Sequence, residues 1–242
     1  MLFTNSQLKN MLTEAFPAAL RSDVCAVVRR LLPNGGRRTY LPQFSEWRID
    51  RSQGVDDGTR SARALGTDRA LNSDGRTETV RVPDRVYLRD VPTLTVGLTP
   101  VQKLIYSCIL SRSYNGYVRQ RHLRLILRGE VPQWVLPYVI KLCDEYVPEI
   151  TADAYDRLKS LDGSRLRLFC MMNIDNVSRG FDRMRSYHYE YYGLCPARKC
   201  IYNAANVRDY VGYKLYSECL GYRRSGQKYI EFPLTPRAEE LP

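Results

Sequence analysis

The stretch SYNGYVRQRHLRLIL, residues 113–127, carries two signals at once. Four arginines, Arg119, Arg121, Arg124 and Arg128, fall within ten residues, and apolar residues lie between them. On a helix, Arg121, Arg124 and Arg128 stand at i, i+3 and i+7 and share one face. Val118, His122, Leu125 and Ile126 share another. The stretch therefore predicts an amphipathic helix with a basic outer face, and His122 on the apolar side reads as a core histidine. Like charges at this spacing repel one another by about a few tenths of a kcal/mol per pair. Acidic side chains from neighbouring elements would offset that repulsion, and so would the phosphates of an external ligand.

Working outward, the chain reads as helical from Leu98 almost to its end. In TPVQKLIYSCILSR, Thr99 is a candidate cap and Pro100 suits the first turn. VPQWVLPYVIKLCDEY, residues 131–146, is apolar nearly all round, so a helix there must be covered on several sides. VPEITADAYDRLKSL, residues 147–161, puts Val147, Ile150, Ala154, Leu158 and Leu161 on one stripe. Val118, Val147, Val177 and Val207 each open an expected second helix of a pair, 29, 30 and 30 residues apart. The strings around them are NGYVRQRHL, DEYVPEITA, IDNVSRGFD and AANVRDYVG, and SDVCAVVRR near the start fits the same template. A period near 30 in helix pairs is the pattern of an α-solenoid, where each pair buries its face against the next.

These residues resemble HEAT-type helical repeats over about residues 100–220. NGYVRQRHLRLIL looks like that family's Val-Arg opening of the second helix. WVLPYVIKLCDEYV looks like its proline-bent first helix followed by an acidic residue. Arg119 and Arg208 match the family's arginine after the valine, whereas Pro148 and Ser178 depart from it. The resemblance implies a right-handed solenoid of four or five irregular helix pairs, and a structural role for Arg119 in polar contacts between repeats. Some enzymes, base-excision glycosylases among them, are built on HEAT scaffolds. No residue here matches their site.

The amino-terminal part differs. Leu8, Met11, Leu12 and Ala15 have helical spacing, Pro17 interrupts, and SDVCAVVRRLL predicts a second helix capped by Ser22 or Asp23. PNGGRR at 33–38 breaks this hairpin. ETVRVPDRVYLRDVPTLTV, residues 78–96, alternates and predicts two or three short strands, with Pro83 and Pro92 at edges or ends. The expected organisation is a helical hairpin at 1–32, a loop and short-strand insertion at 33–97, a helical-repeat domain at 98–230 and a tail at 231–242. The fold class is mainly α, an irregular HEAT-like solenoid of helix pairs with that insertion.

The net charge of +11 comes from 37 basic residues, 30 of them arginine, against 26 acidic ones. Such a balance favours anionic partners, and arginine suits phosphate recognition. GC-rich coding would produce the same arginine bias. Further basic positions follow the opening stretch: Arg165 and Arg167, then Arg179, Arg183 and Arg185. Basic residues on stacked helices would form one stripe that tracks a phosphate backbone. Asp153, Asp156 and Asp182 interrupt it. Ten of the 18 tyrosines lie between 187 and 229. Aromatics among basic residues stack on bases, line protein interfaces or pack as core with their hydroxyls at the surface, and the last explains most of them. Tyr210, Tyr213 and Leu220 fit an inward helical stripe.

Signals for catalysis are thin. No nucleotide-binding loop, dinucleotide fingerprint, nucleophile elbow or zinc-protease helix is present in the sequence. No residue is assigned a catalytic role, and no cofactor or metal is expected. Cys195 and Cys200, four residues apart in CPARKC beyond His188, lack the close second pair of a strong zinc site. The seven scattered cysteines read as reduced thiols of a cytoplasmic protein. The first residues lack a basic and then apolar leader, and no run approaches the roughly 18 apolar residues of a membrane span.

The leading expectation is non-catalytic binding of DNA or RNA through a basic, aromatic-bearing helical surface at Arg121, Arg124, Arg128, Arg165, Arg167, Arg179, Arg183 and Arg185. A scaffold for an acidic protein is the alternative, and a HEAT-scaffold enzyme acting on nucleic acid comes third. Residues 51–76 are too poor in apolar groups to offset their ordering entropy and are expected to be mobile. Limited proteolysis followed by mass spectrometry should cut there first and leave 98–230 intact. Primary cleavage inside 134–161 would contradict that expectation.

Overall fold

A computed structural model describes residues 2–3, 5–32, 39–40, 43–51, 77–193 and 207–222 of the chain. It is mainly helical and divides into two compact units, residues 1–139 and 140–242. That boundary lies inside the segment expected as one helical domain. The amino-terminal helices and the strands expected as separate domains share the first unit. Residues 52–76 lie outside the described residues.

In the first unit, α1 (Asn5–Thr13) ends ahead of Pro17. A short 3-10 turn, Ala18–Leu20, passes directly into α2 (Arg21–Leu31). The helix therefore begins before Ser22 and Asp23, and neither is its cap. Asp23 instead serves the first turn and accepts a 2.8 Å hydrogen bond from the Gln102 side chain. Two antiparallel strand pairs follow: β1 (Leu2–Phe3) with β2 (Thr39–Tyr40), and β3 (Phe44–Asp50) with β4 (Thr77–Pro83). Trp47 stands opposite Val80, and with Ile49 and Val82 they form the buried face of the second pair. Of the strands expected in 78–96, only β4 forms. Its partner β3 carries just two strongly buried positions, too few to mark it in the sequence.

The expected cap of the next helix is present in full. Thr99 accepts from the Gln102 backbone, and the Gln102 side chain accepts from the Thr99 backbone, opening α3 (Pro100–Leu110). Asn115 caps α4 (Gly116–Ile126) through a 3.0 Å bond from the Tyr117 N–H. On α4 the buried residues are Arg119, His122, Leu123 and Ile126, while Leu125, expected inward, is exposed. The apolar run at 131–146 forms a 3-10 turn, Gln133–Val135, and a short α5 (Leu136–Ile140) rather than one long helix. Phe16 joins the core here, edge-on to Trp134 and stacked on Tyr138, whose hydroxyl donates to the Ala15 carbonyl at 2.8 Å.

The second unit contains α6 (Pro148–Leu158), α7 (Gly163–Met172), α8 (Ile174–His188) and α9 (Val211–Lys214). Ile150, Ala154 and Leu158 are buried along the expected stripe of α6. Helices α8 and α9 each widen at the end into a π turn, Tyr189–Gly193 and Leu215–Cys219. Gly221 closes the second with φ +69, a left-handed conformation that costs glycine no Cβ clash. It lets the Tyr222 N–H turn back to the Tyr216 carbonyl at 2.8 Å. Phe181 on α8 packs against Tyr213, Tyr216 and Tyr222 at centroid distances of 5.9, 5.5 and 5.1 Å.

The recurring valines stand near helix starts. Val118 is in the first turn of α4, Val147 immediately precedes α6, Val177 is in the first turn of α8, and Val207 opens the 3-10 turn before α9. Val177 is fully buried, whereas Val118 and Val147 are half-buried.

Gly180, buried in the middle of α8, has a different reason to be glycine. A Cβ there would overlap the Tyr216 hydroxyl. Gly180→Ala should lower unfolding stability by about 1–3 kcal/mol through overpacking, against a helix-propensity gain of about 1 kcal/mol. Adding Tyr216→Phe should recover part of the loss, because the hydroxyl oxygen is the obstacle. Urea unfolding of the single and double variants measures both effects.

Candidate nucleic-acid interface

Buried arginines fix the scaffold of the first unit before any surface residue acts. Arg112 at the end of α3 donates from Nε to the Pro83 carbonyl at 3.2 Å and from Nη2 to the Asp84 carbonyl at 2.7 Å. Arg119 on α4 donates from Nη1 to the carbonyls of Ser113 and Tyr114, both at 3.0 Å. Both side chains are almost wholly buried. Arg119 thus has an intramolecular role, spent on the turn that joins its own helix to the one before. The segment after β4 is tied to the same turn: Val86 N–H donates to Arg112 and Tyr114 N–H donates to Val86. Its inward residues Val86 and Leu88 are buried, leaving Tyr87 and Arg89 outward.

Asp90 lies next in this segment and faces α3 and α4. Its carboxylate accepts from the Tyr106 hydroxyl at 3.0 Å and lies 2.9 Å from His122 Nε2. Arg121 completes the set as an ion pair with Asp90. Burial, aided by the Arg121 guanidinium, pushes His122 down to about 4. The carboxylate works in the opposite sense, and burial outweighs it. At neutral pH the imidazole is therefore uncharged and donates from Nε2 to Asp90. His122 is a core histidine in a polar network, as its place on the helix suggests.

Arg121 and Arg124 are exposed on α4, and Arg128, expected on the same helix, is exposed in the turn just past its end. Asp90 neutralises Arg121 and so offsets part of their repulsion. Tyr117 lies one turn before Arg121 on the same face and is 86% exposed. Tyr114, immediately before the cap residue, stacks on Tyr87 with centroids 5.6 Å apart and planes 15° apart. These two rings remain 57% and 53% exposed. The first unit thus presents three open tyrosines with Arg124 and Arg128. None of the three was singled out by sequence reasoning. Tyr117 alone had a local signal, its spacing of four from Arg121.

In the second unit the other candidate arginines separate. Arg165 and Arg167 on α7 are half-buried, and Arg167 packs its aliphatic stem against Gly221. Arg179 and Arg185 are exposed on α8, and Arg179 donates to the Asn176 side chain at 2.9 Å. Arg183 forms an ion pair with the buried Asp144. Burial pushes the Asp144 carboxyl up, and the guanidinium of Arg183 opposes that shift. Of the carboxy-terminal tyrosines, Tyr210, Tyr216 and Tyr222 are core, while Tyr189 and Tyr191 are exposed. Tyr146, Tyr187 and Tyr191 contact one another at 6.0–6.2 Å.

Three buried thiols are poor nucleophiles. Cys108, Cys143 and Cys170 are buried, and burial pushes each well up, so they stay protonated at neutral pH. Among the described residues, no group of three or more His, Cys, Asp or Glu side chains is placed to hold a metal ion. His188 is buried against the Tyr210 ring, and Cys195 and Cys200 lie outside the described residues. Among the described residues, no helix is long and apolar enough to cross a membrane.

The pairing of Arg121 separates it from its neighbours in a measurable way. Arg121→Gln should destabilise the protein by about 1–2 kcal/mol, because it removes a charged hydrogen-bond donor from a buried carboxylate. Arg124→Gln and Arg128→Gln should each stay within about 0.5 kcal/mol of the parent. Chemical denaturation of the three single variants ranks them.

No protein-family model matches the chain, and neither a curated protein nor a solved structure matches it.

Proposed function

We propose that this protein binds nucleic acid without transforming it, through the outer face of α4 and the tyrosines beside it. The observation that carries the reading is the shared face of Tyr117 and Arg124 on α4, with exposed Arg128 just past its end and the Tyr87–Tyr114 stack at the helix entrance. The net charge of +11 supplies long-range attraction to a polyanion. Exposed guanidinium groups neutralise phosphates, and such contacts position a ligand without reading its sequence. On α8, Arg179 and Arg185 add exposed positive charge to the second unit. Arg121 and Arg183 are ion-paired with Asp90 and Asp144, and the reading assigns phosphate contact to Arg124, Arg128, Arg179 and Arg185 on their exposure.

The same reading takes α3–α4 and α7–α8 as helix pairs of an irregular HEAT-like array, supported by the spacing of Val118, Val147 and Val177 near helix starts. It places the protein in the cytoplasm, an assignment that its free, buried thiols favour. An acidic protein would also neutralise exposed arginines, and salt dependence with competition distinguishes the two partners.

Replacing Arg124 and Arg128 together with Gln should weaken binding to DNA or RNA similarly across sequences. It should also shallow the dependence of log affinity on log salt by up to about two phosphate equivalents. Fluorescence anisotropy at several salt concentrations gives both quantities. Unchanged affinity and slope in a folded double variant would remove α4 from the interface.

A further inference from the structure

We propose that the α4 surface takes nucleic acid in its single-stranded form, with bases stacked on Tyr117 and on the Tyr87–Tyr114 pair and phosphates on Arg124 and Arg128. This inference rests on the reading that α4 binds nucleic acid, and it names the form of the ligand.

Three open tyrosines in one place need a reason. Tyr117 is 86% exposed, more than any other large hydrophobic residue described, and it stands in the first turn of a well-capped helix. Its ring is held out by a defined backbone. Tyr87 and Tyr114 come from segments 27 residues apart in sequence, and backbone bonds hold them side by side: Tyr114 N–H donates to Val86, and Arg119 grips the Tyr114 carbonyl. Their rings are near-parallel and offset, and more than half of each side chain is open. A planar base extends such a stack without rearrangement of the protein.

The arginines alone do not select a strand form, because a duplex and a single strand both offer phosphates. The tyrosines do select. A duplex hides the faces of its bases inside the helix, whereas a single strand exposes them to aromatic side chains. Along α4, Tyr117 and Arg124 stand on one face with about 10 Å of helix rise between their backbone positions, and Arg128 follows two residues past the helix end. That order suits a strand that lays a base on the ring and passes its backbone along the arginines. Phenol rings have a π-face for every base, so the preference is for unpaired bases rather than for a sequence. An acidic peptide would satisfy the arginines but leaves the flat, stacked rings without a purpose.

The test uses the full chain, a fluorescent oligothymidylate and a mixed-sequence duplex of equal length, with anisotropy read at two salt concentrations. The expected result is tighter binding of the single strand. Tyr117→Ala and Tyr114→Ala should each weaken it by about 5- to 100-fold and leave duplex affinity and salt slope unchanged. Tyr117→Phe should bind as the parent does, since the π-face is retained. Equal affinity for both forms, with the tyrosine variants unaffected and the salt slope steep, would overturn the single-strand proposal and leave nucleic-acid binding by the arginines standing. Absence of salt-dependent binding to either form would overturn both, as would tighter capture of polyglutamate than of oligothymidylate. Melting temperatures of the alanine variants guard against loss of fold. Tyr117 is so exposed that its removal should not shift the transition.

Discussion

The turn from α3 to α4 and its tie to the end of β4 depend on two guanidinium groups that are almost wholly buried. A turn between helices leaves carbonyls with no helical partner, and burying them unpaired costs about 1–3 kcal/mol each. Arg119 satisfies such carbonyls at Ser113 and Tyr114, and Arg112 those of Pro83 and Asp84 at the end of β4. An arginine suits this because its planar fork reaches two acceptors at once. The result is a rigid junction of β4, the extended segment after it and the α3–α4 turn. That junction sets the height and direction of Tyr87, Tyr114 and Tyr117. A protein with many arginines is easily read as a surface binder, yet its most consequential arginines here are internal.

The charged surface follows a related logic. Asp90 and Asp144 are buried carboxylates, and each pairs with an arginine of an otherwise basic helix face. A buried carboxylate without a cation would be strongly disfavoured, so these pairings have first claim on Arg121 and Arg183. They also reduce the self-repulsion that Arg124, Arg128, Arg179 and Arg185 would otherwise add to. Arg121 and Arg183 remain half-exposed while neutralised, so the two aspartates temper the charge of the basic surface without withdrawing these arginines from it.

What the sequence disclosed was local. The cap at Thr99 with Pro100 in the first turn is written in two consecutive residues, and the inward stripe Ile150, Ala154, Leu158 obeys helical spacing within one element. The exposure of Arg121 and Arg124 followed from the same geometry. The expectations that failed required partners from elsewhere. Strand β3 is defined by β4, whose paired residues are 27–39 positions away, and its short buried face gave no clear alternation. The start of α2 is set by the 3-10 turn that feeds it, which outweighed the capping tendency of Ser22 and Asp23. The Asp90–Arg121 pair and the Tyr87–Tyr114 stack join distant residues, so neither has a spacing to read. Leu125 looked apolar and was placed inward, but Leu123 has the better angle toward the core.

The π turn at Leu215–Cys219 carries one further implication. Each residue added to a helix turns it by about 100°, and a π turn holds one residue more than the α turn it replaces. Tyr216 lies within this turn and Tyr222 just beyond Gly221, and both reach Phe181. The turn thus bears the mark of a one-residue insertion kept at a fixed phase. Over evolutionary time this segment should accept exchange of one side chain for another far more readily than any change in its length.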